Sequence, residues 1–172
     1  VIDSTSFIKG EAVYHFQQQL SSYLNCKHVI ACGNGTDALQ IALMALGLKS
    51  GDEIITPDFT FIATVEVIAL LGMIPVIVDV DPESFTIDTK KLEDAITPKT
   101  KAIIPVHLFG QCANMEEILN IAQKYNIYVI EDAAQATGTN YNFSNGKTAK
   151  AGSIGTVGCT SFFPSKNLGC YG

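Results

Sequence analysis

The sequence predicts an α/β fold in which a mostly parallel sheet is flanked by helices. The first observation is alternation, since short apolar segments of strand length are separated by longer segments with helical character along the whole chain. The second is size and composition: 172 residues, 47% of them hydrophobic and 16% charged, are enough for one domain with a single sizeable core. We therefore expect residues 1–172 to form one domain with helices on both faces of the sheet.

The first half of the chain contains six predicted elements. In order, these are a helix over 11–24, a strand over 28–32, a helix over 36–48, a strand over 52–57, a helix over 59–72 and a strand over 74–81. Apolar residues at helical spacing predict the first helix, and good helix formers before Gly47 predict the second. Segment 59–72 is predicted as a helix because it is longer than a typical strand, although it contains β-branched residues.

The second half continues the alternation. In order, we expect a helix within 84–97, a strand and its exit loop over 100–110, a helix over 114–126, a strand over 127–132, an exposed hairpin over 141–152 and a last strand within 155–162. Asp88 is a plausible N-cap of the first of these helices. Asn114, with Glu117 three residues later, predicts a capping box at the start of the other.

Charge, hydropathy and cysteine spacing argue against several classes of protein. The net charge of −6, without a Lys/Arg cluster, argues against a nucleic-acid partner. The sequence shows neither an apolar run long enough to cross a bilayer nor a basic-then-apolar leader, so we expect a soluble, cytoplasmic protein without a membrane partner. Five irregularly spaced cysteines favour reduced, mostly buried thiols over disulfides or a metal site. The start at Val1 and the end soon after a strand-like run suggest part of a longer chain.

In parallel sheets, ligands bind beyond the carboxyl ends of the strands, so the loops there are the places to look for a site. The loop "CGNGTDAL" contains Gly33 and Gly35, which allow a tight turn and a close approach to a ligand. The helix that starts near Thr36 would offer free N–H groups to a phosphate. A plain helix cap, with Thr36 or Asn34 as the N-cap, is the alternative.

Three further loops contain candidate residues. Phe59 and Phe61 follow a strand and suit either stacking on a flat ligand or core packing. Asp132, at the end of a buried strand, suits a protonated ring nitrogen or a helix cap, and Gln135 lies three residues later. Lys166 is the only formal charge after Lys150. It is either an ordinary surface lysine in a loop or a desolvated lysine, whose lowered pKa makes its amine nucleophilic.

The four loops together predict a single ligand. A phosphate turn, an aromatic side chain, a carboxylate for a ring nitrogen and an amine for a carbonyl are the groups that pyridoxal 5′-phosphate requires of a protein. All four loops are expected on the same side of the sheet. His107 also follows a strand; it either lines this site or is a hydrogen-bonded core histidine, and we favour the second interpretation.

The segments "GNGTDAL", "TFIAT", "EDAAQATG" and "SFFPSKNLG" occur in this order and resemble the motifs of the DegT/DnrJ/EryC1/StrS family of sugar aminotransferases. The likeness covers nearly the whole chain. It implies the large, pyridoxal-phosphate-binding domain of a fold-type I aminotransferase. Members of the family are about twice as long, so the C-terminal small domain is expected to be absent from residues 1–172.

The resemblance implies a role for each matching residue. Lys166 matches the lysine that forms the Schiff base with the cofactor, and Asp132 matches the partner of its ring nitrogen. Gln135 matches the position beside the ring hydroxyl, and Phe61 matches the aromatic residue stacked on the ring. The phosphate-binding positions are matched by Gly35, Thr36, Asp37 and Ser161.

The implied activity is transfer of an amino group from glutamate to a nucleotide-linked keto-sugar, giving an amino-sugar for polysaccharide biosynthesis by a cytoplasmic homodimer. Related sugar dehydratases have histidine where this chain has Lys166, so the lysine favours transamination. A dehydratase and a non-catalytic, cofactor-binding regulator stay open as alternatives. The residues do not identify the sugar, the nucleotide or the aminated carbon.

Overall fold

The computed structural model describes residues 2, 3, 5 and 7–170. Its five-stranded sheet is parallel throughout and has the strand order β2-β1-β3-β4-β7, and a two-stranded antiparallel hairpin is formed by β5 and β6. The strands are β1 (Glu53–Pro57), β2 (Ile74–Val78), β3 (Thr100–Ile103), β4 (Tyr128–Asp132), β5 (Asn140–Asn142), β6 (Thr148–Lys150) and β7 (Val157–Cys159). The predicted α/β class is therefore confirmed.

Five α-helices and one 3₁₀ turn accompany the strands of the described chain. They are α1 (Glu11–Leu24), α2 (Gly35–Ala45), α3 (Ala63–Leu70), α4 (Thr89–Asp94), α5 (Met115–Tyr125) and the 3₁₀ turn Leu108–Gly110. The helices α3, α4 and α5 form the crossovers between the parallel strands β1, β2, β3 and β4. The second helix ends as expected, because Gly47 follows its last residues with φ 69°.

Two apolar clusters pack on opposite faces of the sheet. Ile54 faces α2 and α3, whereas its neighbour Ile55 faces α4 and α5, because successive side chains of a strand point to opposite sides. The same alternation separates Ile130 from Val129 in β4. The near-continuous apolar strands are thus explained by burial on both faces.

The predicted strand over 28–32 is wrong. In the described part of the chain this segment pairs with neither edge of the sheet, and most of its residues are exposed. Its Ala31 N–H donates instead to the Gln17 side-chain oxygen of α1, at 2.8 Å. Short apolar runs form strands only where a neighbouring strand accepts their backbone hydrogen bonds.

The predicted caps are only partly right. Asp88 caps α4 by accepting hydrogen bonds from the N–H groups of Lys90 and Lys91. Asn114 precedes α5 but its side chain makes no capping bond, so the predicted capping box is wrong. Its amide donates to Glu117 at 2.8 Å, and the Tyr141 hydroxyl donates to its oxygen at 3.2 Å. The tyrosine therefore takes the acceptor that a cap would use.

All five cysteines are free thiols, as expected, but they are not mostly buried. Cys159 is buried, Cys26 and Cys112 are intermediate, and Cys32 and Cys170 are exposed. Among the described residues, no helix combines the length and the apolar character needed to cross a membrane. The same part of the chain contains no group of three or more His, Cys, Asp or Glu residues that could hold a metal ion.

Candidate active site

The sheet places three of the four predicted site loops along one edge, beyond the carboxyl ends of β1, β4 and β7. The fourth, the glycine loop, precedes α2 and follows no strand of the described chain. The chain runs from β1 to β2 on one side and then returns to β3 on the other, so the strand order reverses between β1 and β3. Ligands of open parallel sheets bind at such a reversal, outside the strand ends. The loops after Pro57, Ile103, Asp132 and Cys159 are therefore neighbours in space.

Asp132 is held rigidly at the end of β4. It is 6% exposed, its Oδ2 accepts a hydrogen bond from the Thr64 hydroxyl at 2.8 Å, and its Oδ1 accepts one from the Ala134 N–H at 3.2 Å. The Thr60 hydroxyl lies 2.9 Å from that of Thr64 and extends this network along the start of α3. A carboxylate whose two oxygens each have one fixed donor keeps a constant orientation and retains capacity to accept a further hydrogen bond.

The glycine turn before α2 forms an open N–H site. Asn34, one of the two residues predicted as the N-cap, caps α2. Its Oδ1 accepts a hydrogen bond from the Asp37 N–H at 2.8 Å. The first backbone bond of the helix is made by Ala38 to the Asn34 carbonyl, at 3.1 Å. The N–H groups of Gly35 and Thr36 come before this first helical bond and have no partner within the helix. Together with the positive end of the helix dipole, they are available to an anion.

Ser161 lies directly against this turn. A Cβ atom added to Gly35 would stand 2.9 Å from the Ser161 Cβ and 3.3 Å from its Oγ, closer than ordinary packing allows. The hydroxyl of Ser161 accepts a hydrogen bond from the Phe163 N–H at 3.3 Å and is buried. The structure therefore brings together two of the predicted phosphate-binding positions, and only glycine fits at residue 35.

Lys166 and Gln135 line one open cleft of about 500 Å³, together with Phe109, Ser165 and Asn167. Lys166 is half-buried, and within the described residues it makes no ion pair. The Lys166 N–H closes a turn onto the Phe163 carbonyl at 2.8 Å, which fixes the loop that carries the amine. Lys166, in the loop after β7, and Gln135, in the loop after β4, thus share one cleft.

Two predicted residues, Phe61 and Asp37, lie outside the cleft of Lys166. Phe61 is 65% exposed just before α3, and Phe59 is 46% exposed, so the core-packing alternative for this pair is wrong. Asp37 points back along the turn, with its Oδ2 2.5 Å from where a Cβ of Gly33 would lie. Neither Phe61 nor Asp37 lines the cleft of Lys166.

Sequence reasoning missed three residues around the site. Phe109 lines the cleft, has the left-handed backbone angle φ 54°, and donates its N–H to the Gln135 side-chain oxygen at 3.2 Å. Thr64 holds Asp132, and Glu131 is a fully buried carboxylate beside it. Thr64 lies within the candidate motif "TFIAT", and Glu131 precedes the candidate Asp132 on the opposite face of the same strand, so these two residues were adjacent to predicted ones.

His107 is a core residue, which is the interpretation favoured from the sequence. It is fully buried, its Nε2 lies 2.9 Å from the Glu131 carboxylate, and the Ala113 N–H donates to its Nδ1 at 3.2 Å. It therefore lies behind the candidate site rather than in it.

Three of the five thiols have raised pKa values. Burial, with the nearby carboxylate of Asp132, raises the pKa of Cys159 to about 12. Burial, followed by the charge of Glu131, raises the pKa of Cys112 to about 11. Partial burial, with the carboxylate of Asp37, also raises the pKa of Cys32. These thiols are protonated at neutral pH and are poor nucleophiles there.

A model of the DegT/DnrJ/EryC1/StrS aminotransferase family matches residues 1–172. The chain is 53% identical over 172 residues to a UDP-2-acetamido-2-deoxy-3-oxo-D-glucuronate aminotransferase of Pseudomonas aeruginosa, covering all of this chain and 46% of that protein. It is 52% identical over 172 residues to a pleiotropic regulatory protein of Geobacillus stearothermophilus, covering all of this chain and 45% of that protein. The chain thus spans less than half the length of these curated relatives.

Among solved structures, the chain is similar to NtdA of Bacillus subtilis with bound cofactor PMP. The TM-score is 0.92 and the identity 41%, covering all of this chain and 38% of that one. The likeness includes both the parallel sheet and the loops at its carboxyl edge, since the whole of this chain is matched.

Proposed function

Because this chain belongs to the DegT/DnrJ/EryC1/StrS aminotransferase family, we propose that it is the cofactor-binding part of a pyridoxal-phosphate-dependent aminotransferase. The proposed reaction moves an amino group from glutamate to a nucleotide-linked keto-sugar. The observation that carries the proposal is the cleft that Lys166 and Gln135 share. The loop of Gln135 starts at the buried Asp132, and the loop of Lys166 includes Ser161, which packs against the glycine turn of α2.

The residues present fit pyridoxal phosphate in three respects. The N–H groups of Gly35 and Thr36, with the Ser161 hydroxyl against them, suit the phosphate. Asp132 is a buried acceptor whose orientation is fixed by two donors, which suits a protonated ring nitrogen. Lys166 has no ion-pair partner in the described part of the chain, so its amine is available to a carbonyl.

Each remaining site residue has a proposed task. Phe61, exposed at the start of α3, would cover a face of the ring. Gln135, whose oxygen accepts from the Phe109 N–H, would use its amide N–H groups beside the ring hydroxyl. Asp37 would contribute through its position in the first turn of α2 rather than through its carboxylate, since a negative charge is unfavourable beside a phosphate.

When bound, pyridoxal phosphate would supply a ring that withdraws electrons from the reacting carbon of the substrate. Asp132 would hold the proton on the ring nitrogen, because a fixed carboxylate favours the charged form. The Lys166 amine would take the proton from the amino-bearing carbon of glutamate and return a proton to the sugar carbon in the second half of the reaction. Two half-reactions that use one site in turn predict ping-pong kinetics.

We also propose a homodimer in the cytoplasm. Five free thiols suit a reducing compartment. The exposed apolar side chains of the described N-terminal part favour a covered surface in the assembled protein; they include Phe7, Ile8, Val13 and Phe16. Ultracentrifugation and cell fractionation of the full-length protein test these two points, and a monomer or a membrane-bound protein would contradict them.

The direct test is a product assay. Full-length protein, pyridoxal phosphate and glutamate are incubated with a panel of nucleotide keto-sugars, and the products are analysed by mass spectrometry. The proposal expects an amino-sugar and an equal amount of 2-oxoglutarate. A deoxygenated sugar without nitrogen would instead indicate the dehydratase, which the lysine at position 166 disfavours.

A second candidate function is a regulator that binds the cofactor without turnover. The chain's 52% identity to a pleiotropic regulatory protein is the observation that supports this second candidate. The two functions differ in the response of the bound cofactor to glutamate. An aminotransferase loses the visible absorbance of pyridoxal phosphate when glutamate is added, whereas a regulator keeps it.

A further inference from the structure

Glu131 is a fully buried carboxylate for which the proposed reaction has no use. Burial of a charged group is strongly unfavourable unless donors surround it. Four donors do so here: the His107 ring at 2.9 Å, and the backbone N–H groups of Gly152, Ile154 and Gly155 at 2.8, 2.6 and 2.6 Å. The three N–H groups converge from one turn, as in other anion-binding turns of the backbone.

The histidine ring is equally well satisfied. Its Nδ1 accepts a hydrogen bond from the Ala113 N–H at 3.2 Å, so this nitrogen carries no proton in the neutral ring. The ring proton is then on Nε2, where it faces Glu131. Both nitrogens of His107 are thus used, and the exit loop of β3 is tied to β4.

A closed ring of contacts joins this pair to Asp132. Glu131 and Asp132 are consecutive in β4 and point to opposite faces of the sheet. The His107 N–H donates to the Asp132 carbonyl at 2.9 Å, and the Asp132 N–H donates to the Pro105 carbonyl at 3.0 Å. The segment 105–107 therefore fixes the backbone of Asp132. Glu131 in turn holds this segment through the His107 ring.

Besides the His107 ring, the Glu131 carboxylate binds the turn 152–155, which precedes β7. The turn it binds lies immediately before that strand, and a Cβ on Gly158 would be 1.9 Å from the Gly152 carbonyl oxygen, so turn and strand are in close contact. The Ala133 N–H donates to the Cys159 carbonyl at 2.8 Å, where β7 ends and the loop with Lys166 begins. Displacement of the turn would shift that loop relative to β4.

We infer that Glu131 and His107 form a positioning pair, which sets the placement of Asp132 relative to the loop of Lys166. The pair touches no substrate; it acts through the backbone of β4 and β7. Its consequence for catalysis rests on the proposed function, whereas its consequence for the backbone does not.

Two substitutions of His107 separate the two contacts of its ring. His107→Gln keeps an amide N–H that can reach Glu131 but places no acceptor at the position of Nδ1, to which the Ala113 N–H donates. His107→Asn keeps an acceptor for Ala113 but is too short to reach Glu131. The inference expects kcat to fall about 10- to 100-fold in the Asn variant and less than about 3-fold in the Gln variant, because small misplacements of reacting groups have effects of this size.

The KM for glutamate is expected to change less than about 3-fold in both variants, because the pair makes no contact with the substrate. The matched control is His15, an exposed histidine paired with Glu11 in α1, where Asn and Gln should leave both constants unchanged. Equal kcat in the two His107 variants overturns the inference, as does a loss that appears mainly in KM.

Hydrogen exchange of the cofactor-free, full-length protein gives a readout that needs no activity. In His107→Asn, faster exchange is expected at the turn 152–155 and at the amide of Asp132, with little change in His107→Gln. Unchanged exchange in the Asn variant overturns the inference. If the unaltered protein transfers no amino group, the proposed function fails, and this exchange pattern alone decides the inference.

Glu131→Gln should behave like His107→Asn in both measurements, since its amide N–H₂ would face backbone donors. If that variant does not fold, the histidine substitutions decide the matter, because both leave the carboxylate in place.

Discussion

At the scale of single residues, Asp132 and Lys166 have opposite surroundings. Asp132 is buried with a donor on each oxygen, so the orientation of its carboxyl group is fixed before any ligand arrives. Lys166 lies half-buried in an open cleft, without an ion pair in the described part of the chain. A fixed acid and an amine without an ion pair are the arrangement expected where one group holds a proton and the other transfers it.

Replacement of Lys166 by alanine should abolish turnover while pyridoxal phosphate still binds. The phosphate turn and Asp132 remain in this variant, but no amine is left to move the proton. Steady-state kinetics and the absorbance of the bound cofactor measure both effects. Lys147→Ala, in the exposed hairpin, is the control and should be unchanged. Full activity in Lys166→Ala would remove the lysine from its proposed role.

Asp132→Asn should bind the cofactor and react poorly, because a neutral amide does not keep the ring nitrogen protonated. Thr64→Val should have a smaller effect, since it removes one hydrogen bond to a charged group, worth about 1.5–3 kcal/mol. We expect kcat to fall in the order unaltered protein, Thr64→Val, Asp132→Asn. The same kcat in Asp132→Asn as in the unaltered protein would contradict the assignment.

At the scale of elements, α2 and α4 start in the same way but only α2 starts at the candidate site. Asn34 caps α2 and Asp88 caps α4, each through a side-chain oxygen that accepts backbone N–H groups. A comparison of the two caps therefore distinguishes an effect on helix stability from an effect on ligand binding, since only the turn of Asn34 lies against Ser161.

Asn34→Ala and Asp88→Ala should each lower the free energy of unfolding by about 1 kcal/mol, through loss of the capping bond. Only Asn34→Ala should also weaken the binding of pyridoxal phosphate, because the capping bond orders the N–H groups offered to the phosphate. Chemical denaturation and a cofactor titration measure these two quantities. Equal cofactor affinity in the two variants would argue against the turn as the phosphate site.

At the scale of the whole molecule, the sheet separates two apolar clusters. One contains Ile68 of α3 and the other Ile118 of α5, and both side chains are fully buried. Since the clusters lie on opposite faces, they share few contacts, and their energies should be nearly independent.

Ile68→Val and Ile118→Val should each lower the free energy of unfolding by about 0.5–1.5 kcal/mol, the usual effect of removing one buried methylene. The double variant should lose the sum of the two within about 0.5 kcal/mol. Urea denaturation of the four proteins measures this. A coupling energy much larger than that would mean that strain passes through the sheet from one cluster to the other.

Most of the fold and part of the site were predictable from local patterns. Helices and strands with clear periodicity, and the glycine turn before Thr36, depend on residues close in sequence. The strand predicted over 28–32 is wrong because pairing depends on a distant partner. Glu131 was missed for a related reason: the turn that binds it lies 21 to 24 residues later, and nothing local to the strand indicates that contact.

The uneven exposure of the thiols has a practical consequence. Cys159 and Cys112 remain protonated until far above neutral pH, whereas Cys32 lies at the surface one residue before the glycine turn. A maleimide dye applied under mildly alkaline conditions would therefore label the exposed thiols of Cys32 and Cys170 in preference to the two shielded sulfur atoms. With Cys170 replaced by serine, Cys32 would become an attachment point for a fluorophore, whose emission would follow the filling of the neighbouring turn in real time.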